Sequence, residues 1–270
     1  MKLRFSAFPY LVWMVIFIAA PLLLVVYFAV TTKDGSFTLA NIARVGEYTP
    51  VIMGSIWLAI IATIICLVIA YPLAFSISRK SKNKQRTFMM LVMLPMWMNF
   101  LLRTYAWMTL LERNGLINRL LGLVGLGPFQ MINTQGAVVL GMVYNFLPYM
   151  ILPLYSVIVK IDPRLIEAAQ DLGCNSRQVF GKVVLPLSLP GVISGVTMVF
   201  VPAVSTFYIS QKLGSSGATL IGDVIESQFK AAYNPNLGAA MSLGLMVLVF
   251  ICIALMNRFS DDDGESMVTV

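Results

Sequence analysis

Between Asp162 and Pro186 the chain reads DPRLIEAAQDLGCNSRQVFGKVVLP, a charged, glycine-broken stretch between two long apolar runs. Its reactive types are Arg164, Glu167, Asp171, Arg177 and Lys182, charges suited to pairing with another surface rather than to bond-breaking. Elsewhere the candidates are sparse. Arg103 lies within an apolar run, and Asp223 and Glu226 stand three apart, on one face if helical. Cys66, Cys174 and Cys252 lack disulfide or zinc spacing and read as small packing residues. The 270 residues contain no histidine, which removes imidazole nucleophile pairs, HExxH metal sites and histidine proton relays. Gly181-Lys182 lacks both the upstream glycine and the following Ser or Thr of a phosphate-binding P-loop. Docking and passage remain as the available chemistry, and the chain is expected not to be an enzyme.

The docking stretch has its own local logic. Asp162 can accept from free backbone N–H groups while Pro163 fixes the first helical φ, so a helix should start there. Gly173 is a natural stop, since the residue after a helix commonly needs positive φ. Leu165, Ala168 or Ala169, and Leu172 recur at helical spacing, with Arg164, Glu167 and Asp171 on other faces. Asn175 or Ser176 can cap a second helix, with Gln178 at capping-box spacing from Asn175. The expectation is a two-helix knuckle hinged at Gly173.

The elements that carry this knuckle are membrane spans. Hydrophobic residues make up 59% of the chain and charged residues 11%, with mean hydropathy +0.84, against roughly 45–50% and about 25% in soluble domains. Apolar runs predict six spans: one to about Val30, then about Val51–Ile77, Phe88–Leu111, Ala137–Val159, Val184–Ile209 and Leu237–Met256. The first is longer than a signal-peptide core, with Pro21 after Ala19-Ala20, and reads as a retained span. The fold class is an all-α membrane protein, one domain over residues 1–270.

RKSKNKQR, with Arg79, Lys80, Lys82, Lys84 and Arg86, is the densest basic cluster. By the positive-inside rule its loop is cytoplasmic. Six spans then place both termini and the 160–183 knuckle loop inside, with twelve of the nineteen Lys and Arg on that side. The acidic tail, about 258–270, reads as a solvated end. In the outer loop Glu112–Gln135, Leu116, Ile117, Leu120, Leu121 and Leu123 could line a short interfacial helix, either a ledge for an external partner or a cap on the bundle.

Glu167-Ala168-Ala169, three residues, Gly173, nine residues, Val183, one residue, Leu185-Pro186 closely resembles the EAA motif of ABC importer permeases. Val183 stands where that motif has Ile. The stretches LPMWMNFLLRTYAW, GMVYNFLPYMILPLYSVI and LIGDVIESQF resemble the spermidine/putrescine permeases of the same family. The resemblance implies a type I ABC importer permease fold, with Glu167, Ala168, Ala169, Gly173, Leu185 and Pro186 forming the coupling helix, its hinge and its return to the bundle. It implies residence in a bacterial cytoplasmic (inner) membrane. Implied partners are two copies of a separate ATPase that carries ATP and Mg, a second homologous permease, and an extracytoplasmic polyamine-binding protein. No cofactor is expected in this chain and nucleic acid is not a partner.

For the route taken by cargo the sequence offers Trp97, Asn99, Arg103, Tyr105, Tyr144 and Tyr149 in the third and fourth spans, with Trp107 and Tyr155 nearby. Aromatic faces suit cations, yet rings in spans also serve as packing and interface anchors. Asp223 and Glu226 are either a weak attraction for cations at the outer mouth or solvated loop charges. Asn99, Arg103 and Trp107 recur every four residues, a candidate helical face. Arg103 there would repel a polyamine and suit an anion, or else snorkel outward or bond Asn99 in a structural or gating role. Related permeases for metal ions, oxyanions or 4-aminobutyrate would share the architecture. A gradient-driven secondary transporter would need mid-membrane ionisable groups, which are scarce here, and a cargo-free membrane scaffold would keep only the docking knuckle.

Overall fold

The computed structural model describes residues 3–32, 34–215 and 218–265. The expectations for Lys2, Lys33 and the tail beyond Glu265 lie outside these. Among the described residues five helices are long and apolar enough to cross a membrane: α1 (Phe8–Ala29), α2 (Ala40–Ser78), α6 (Gln135–Ile158), α8 (Ser176–Ser205) and the apolar part, Pro235–Met256, of α11 (Pro235–Glu265). Between them lie α3 (Lys82–Trp97), α4 (Phe100–Leu111), α5 (Leu116–Leu123), α7 (Pro163–Asp171), α9 (Tyr208–Leu213) and α10 (Ile221–Lys230).

The core is where α2, α6 and α8 meet. Lipid supplies no hydrophobic drive between spans, so they associate by close packing of small residues. On α2, Ala59, Ala62, Cys66, Ala70 and Ala74 form a fully buried stripe. On α8, Gly191 and Gly195 form a G-x-x-x-G pair against α6, where a Cβ on Gly191 would stand 3.1 Å from Pro153 O and one on Gly195 2.7 Å from Met150 Sδ. The packing role expected of Cys66 holds. Cys174 and Cys252 are only partly buried, the former in the knuckle rather than in a span.

Span α1 is peripheral and rests on α11. Its last carbonyls are held by two asparagines: Asn236 Nδ2 donates to Phe28 O (3.1 Å) and Thr31 O (2.7 Å), and Asn41 Nδ2 to Ala29 O (3.3 Å) and Thr31 O (2.9 Å).

Two expected spans are corrected. The third is not one straight helix from Phe88 to Leu111: α3 and the Phe100–Leu123 segment are bent by 87°. The break follows from Pro95 in a 3-10 turn over Leu94–Trp97, extended backbone at Met98, and Asn99, whose side chain accepts from Leu101 N–H at 2.8 Å and caps α4. The fifth stops at Ser205, where Thr206 is extended, so Ile209 belongs to the separate helix α9. The basic run expected as a loop is helical from Lys82 onward.

Candidate functional site

The knuckle forms as its residues dictate. Asp162 Oδ1 accepts from Arg164 N–H at 3.0 Å at the start of α7, with Pro163 in its first turn. At the other end Gly173 has φ +84°, its N–H donates to Gln170 O at 2.8 Å, and Cys174 N–H donates to Ala169 O at 3.0 Å. That bond pair is the Schellman closure, which needs a left-handed residue and so favours glycine. Asn175, not Ser176, caps α8: its Oδ1 accepts from Gln178 N–H while Gln178 Oε1 accepts from Asn175 N–H, both at 2.9 Å.

Helix α8 does not enter the bundle regularly. Residues Phe180–Val184 form a π-helical turn, closed by Leu185 N–H donating to Phe180 O. Pro186 follows with no N–H, and its ring crowds the carbonyl four residues back, so an opened turn accommodates it. Leu185-Pro186 is thus a re-entry point with a defined geometry.

Helix α7 faces two ways. Ile166 and Gln170 line a cleft of about 400 Å³ shared with Phe75, Arg79, Val179 and Phe180. Leu165, Glu167 and Ala168 are exposed, and Leu172 is 85% exposed, while Ala169 is half-buried. Leu165, Ala168 and Leu172 therefore make an outward apolar stripe flanked by Glu167 and Asp171. Since Arg79 lines this cleft, the knuckle lies on the same face as the basic cluster, as charge bias predicted.

The opposite end of the bundle lies near Ser55, 23 residues before Ser78 on α2 and about 35 Å away along the helix. Ser55 Oγ accepts from Ile221 N–H at 2.8 Å, at the start of α10. Asp223 and Glu226 both lie on α10 as the i, i+3 spacing required, but in different surroundings. Asp223 Oδ2 accepts from Leu220 N–H at 2.7 Å and closes the helix start, while Oδ1 is buried with no hydrogen bond among the described residues. Burial pushes the Asp223 carboxyl above its ordinary range, against the lowering effect of the Leu220 hydrogen bond. Glu226 pairs with Lys230 at 2.6 Å and accepts from Gln211, and these donors hold it below the ordinary range. It borders a cleft of about 450 Å³ with Ser205, Phe207 and Ser242.

The candidate aromatic residues scatter. Trp97 is exposed in the 3-10 turn, Tyr144 packs edge-on to Trp107 with centroids 5.4 Å apart, and Tyr149 is 6.4 Å from Phe146. Tyr105 meets Tyr208 at 6.3 Å, and Lys212 Nζ lies 5.4 Å and 5.8 Å from their ring centroids. Tyr208 and Lys212 were missed as members of this cluster. Their signal was weak, because only the break after Ser205 turns α9 back toward α4. Of the Asn99–Arg103–Trp107 set, Arg103 and Trp107 lie within α4, while Asn99 is its N-cap and the Asn99 carbonyl accepts from Arg103 N–H at 3.2 Å. Arg103 does not snorkel: it is 8% exposed, with Nε and Nη1 unbonded among the described residues and its guanidinium 5.9 Å from the Phe100 ring centroid.

A bundle of apolar helices with a small-residue core and a glycine-hinged knuckle on its basic face defines a multi-span membrane protein with an exposed docking helix. The model of the binding-protein-dependent transport system inner membrane component family matches residues 67–261, and the chain belongs to that family. It is 41% identical over 256 residues to the spermidine/putrescine transport system permease protein PotB of Haemophilus influenzae, covering 91% of this chain and 90% of that protein. With PotB of Escherichia coli K12 it shares 36% over 254 residues, covering 88% and 92%. Among solved structures it resembles a chain of a bacterial ABC transporter involved in the import of the acidic polysaccharide alginate. The TM-score is 0.83 at 17% identity, covering 97% of this chain and 95% of that one, a likeness of fold.

Proposed function

We propose that this chain is the membrane-spanning subunit of an ATP-driven importer for polyamines, with α7 as its coupling helix. The observation that carries the coupling role is the outward stripe Leu165, Ala168 and Leu172 on a helix ended by Gly173 at φ +84°. An apolar face left open beside Glu167 and Asp171 suits a groove in a separate protein. Identity to two spermidine/putrescine permeases over about nine-tenths of the chain supports the cargo.

In this reading both termini and the knuckle are cytoplasmic, and two ATPase copies bearing ATP and Mg act on this chain and a second homologous permease. An extracytoplasmic binding protein delivers cargo at the α9–α10 mouth. Tight recognition there leaves the passage free to bind weakly and release. Asp223 is mainly a helix-start residue, while Glu226 is the more accessible carboxylate for an arriving ammonium.

A second reading keeps the architecture and changes the cargo. The buried Arg103, with two donors unbonded among the described residues, would suit an oxyanion. A mild-detergent pull-down of the tagged chain, with every protein identified and the small molecule on the binding protein weighed, tests both. Recovery of an ATPase, a second permease and a spermidine- or putrescine-loaded binding protein is expected. An oxyanion on the binding protein favours the second reading, and a chain recovered alone overturns the importer.

A further inference from the structure

The π-turn at Phe180–Val184 has a second consequence for the knuckle, one that rests on the coupling role proposed for α7. The same construction occurs in α1: Ala20 N–H donates to Val15 O, closing the π-turn Val15–Ala19, and Pro21 follows. In both helices the residue before a proline bonds five residues back. Proline crowding is relieved by an opened turn at these two places, whereas Pro72, Pro148, Pro153, Pro190 and Pro202 sit in helices without one.

In α8 the opened turn aims a side chain. One extra residue in a helix rotates everything before it by about 100° relative to everything after it. In the observed arrangement Phe180, 40% exposed, rests at an open slot on α2, edge-on to Tyr71 with centroids 5.2 Å apart and to Phe75 at 6.5 Å. A regular helix through Phe180–Val184 would turn the ring out of that slot.

The slot is anchored on its far side. Tyr71 Oη and Ser188 Oγ are hydrogen-bonded at 2.6 Å, both buried, and Ser188 Oγ also bonds Leu185 O at 3.0 Å. Tyr71 is thus fixed to the first turn of α8 beyond the π-turn while receiving Phe180 from within it. On the knuckle side the cleft of about 400 Å³ leaves α7 room to shift against α2. The ring of Phe180 lines that cleft and meets Tyr71 and Phe75 on its α2 side.

We propose that Phe180 is a positioning residue that ties displacement of the knuckle to α2, and that the π-turn ahead of Pro186 aims it there. Its loss should leave the ATPase docked, because α7 and its outward stripe are untouched, but should let the knuckle move without moving the span.

The test uses the whole transporter, reconstituted with its ATPase and binding protein, in wild-type, Phe180→Ala, Phe180→Leu and Phe180→Tyr forms. ATPase retention, ATP hydrolysis and uptake of radiolabelled spermidine are measured on the same preparations. Phe180→Ala and Phe180→Leu should cut uptake per ATP hydrolysed by about tenfold at equal ATPase retention, the scale of one good aromatic pair, and Phe180→Tyr should restore it. If Phe180→Ala does not assemble, the Leu and Tyr pair carries the comparison, since Leu keeps the bulk without the ring. Uptake per ATP unchanged in Phe180→Leu, or falling equally in Phe180→Tyr, overturns the proposal. Failure of the coupling role itself has a separate signature, unaltered ATPase retention when Leu172 is replaced by Ser.

Discussion

Replacing Gly173 in turn by Asn, Ala and Val should weaken the hold on the ATPase in that order. Gly173 sits at φ +84°, and a Cβ built there meets nothing within 4 Å, so the cost of a side chain is backbone strain alone. For Ala that cost is about 1–2 kcal/mol. Asn visits this region readily and should cost less, while β-branched Val should cost more. An ATPase that docks only on the bent knuckle feels the strain as lost affinity, because the bent form must first be repopulated. One to two kcal/mol then corresponds to roughly a 5–30-fold loss for Ala. The assay is the ratio of ATPase to tagged chain after purification in mild detergent, with membrane abundance of the chain as the control for folding. Loss that follows side-chain size, with Asn worse than Ala, would refute the backbone argument, and equal retention in all three would refute the hinge.

Leu172→Ser should reduce ATPase retention by about tenfold or more, as burying a leucine is worth roughly 1.5–3 kcal/mol. The thermal midpoint of the isolated chain should stay put, because Leu172 is 85% exposed there; a lowered midpoint contradicts the docking role. Gly222→Ala should lower the midpoint, since its Cβ would lie 2.7 Å from Thr206 O and 2.8 Å from Ser205 O, both backbone. Gly54→Ala, with nothing within 4 Å, is the matched control and should be neutral or slightly stabilising. Burial raises the Asp223 pKa in the fold, so its charge costs stability above the folded pKa and that cost is relieved as pH falls toward the unfolded value. Wild-type should therefore gain on Asp223→Asn as pH is lowered into the carboxylate range, and a midpoint difference independent of pH contradicts the burial argument.

Local chemistry made much of this molecule legible. Asp162, Gly173 and Asn175 each act through a hydrogen bond to the backbone within a few residues and Pro163 through its own fixed φ, so sequence spacing sufficed for the knuckle. Hydropathy likewise located most spans, because lipid demands about 20 apolar residues whatever the packing. It failed at Pro95–Asn99, where an apolar run continues through a sharp bend, since hydropathy does not register a capping side chain. Asn118 was also invisible: buried, it donates to Glu112 O and Phe129 O and accepts from Phe129 N–H, pinning the segment between α4 and α6 across eleven residues. The cluster of Tyr105, Tyr208 and Lys212 was the least legible part, because these residues meet only through the fold.

The most direct test of the central claim is spermidine uptake into proteoliposomes holding the purified complex, with binding protein outside and ATP inside. Uptake should require both, and should collapse when Gly173→Val replaces the wild-type chain. Uptake driven by an ion gradient without ATP, or ATP- and binding-protein-dependent uptake that the Gly173→Val chain supports fully, would contradict the account.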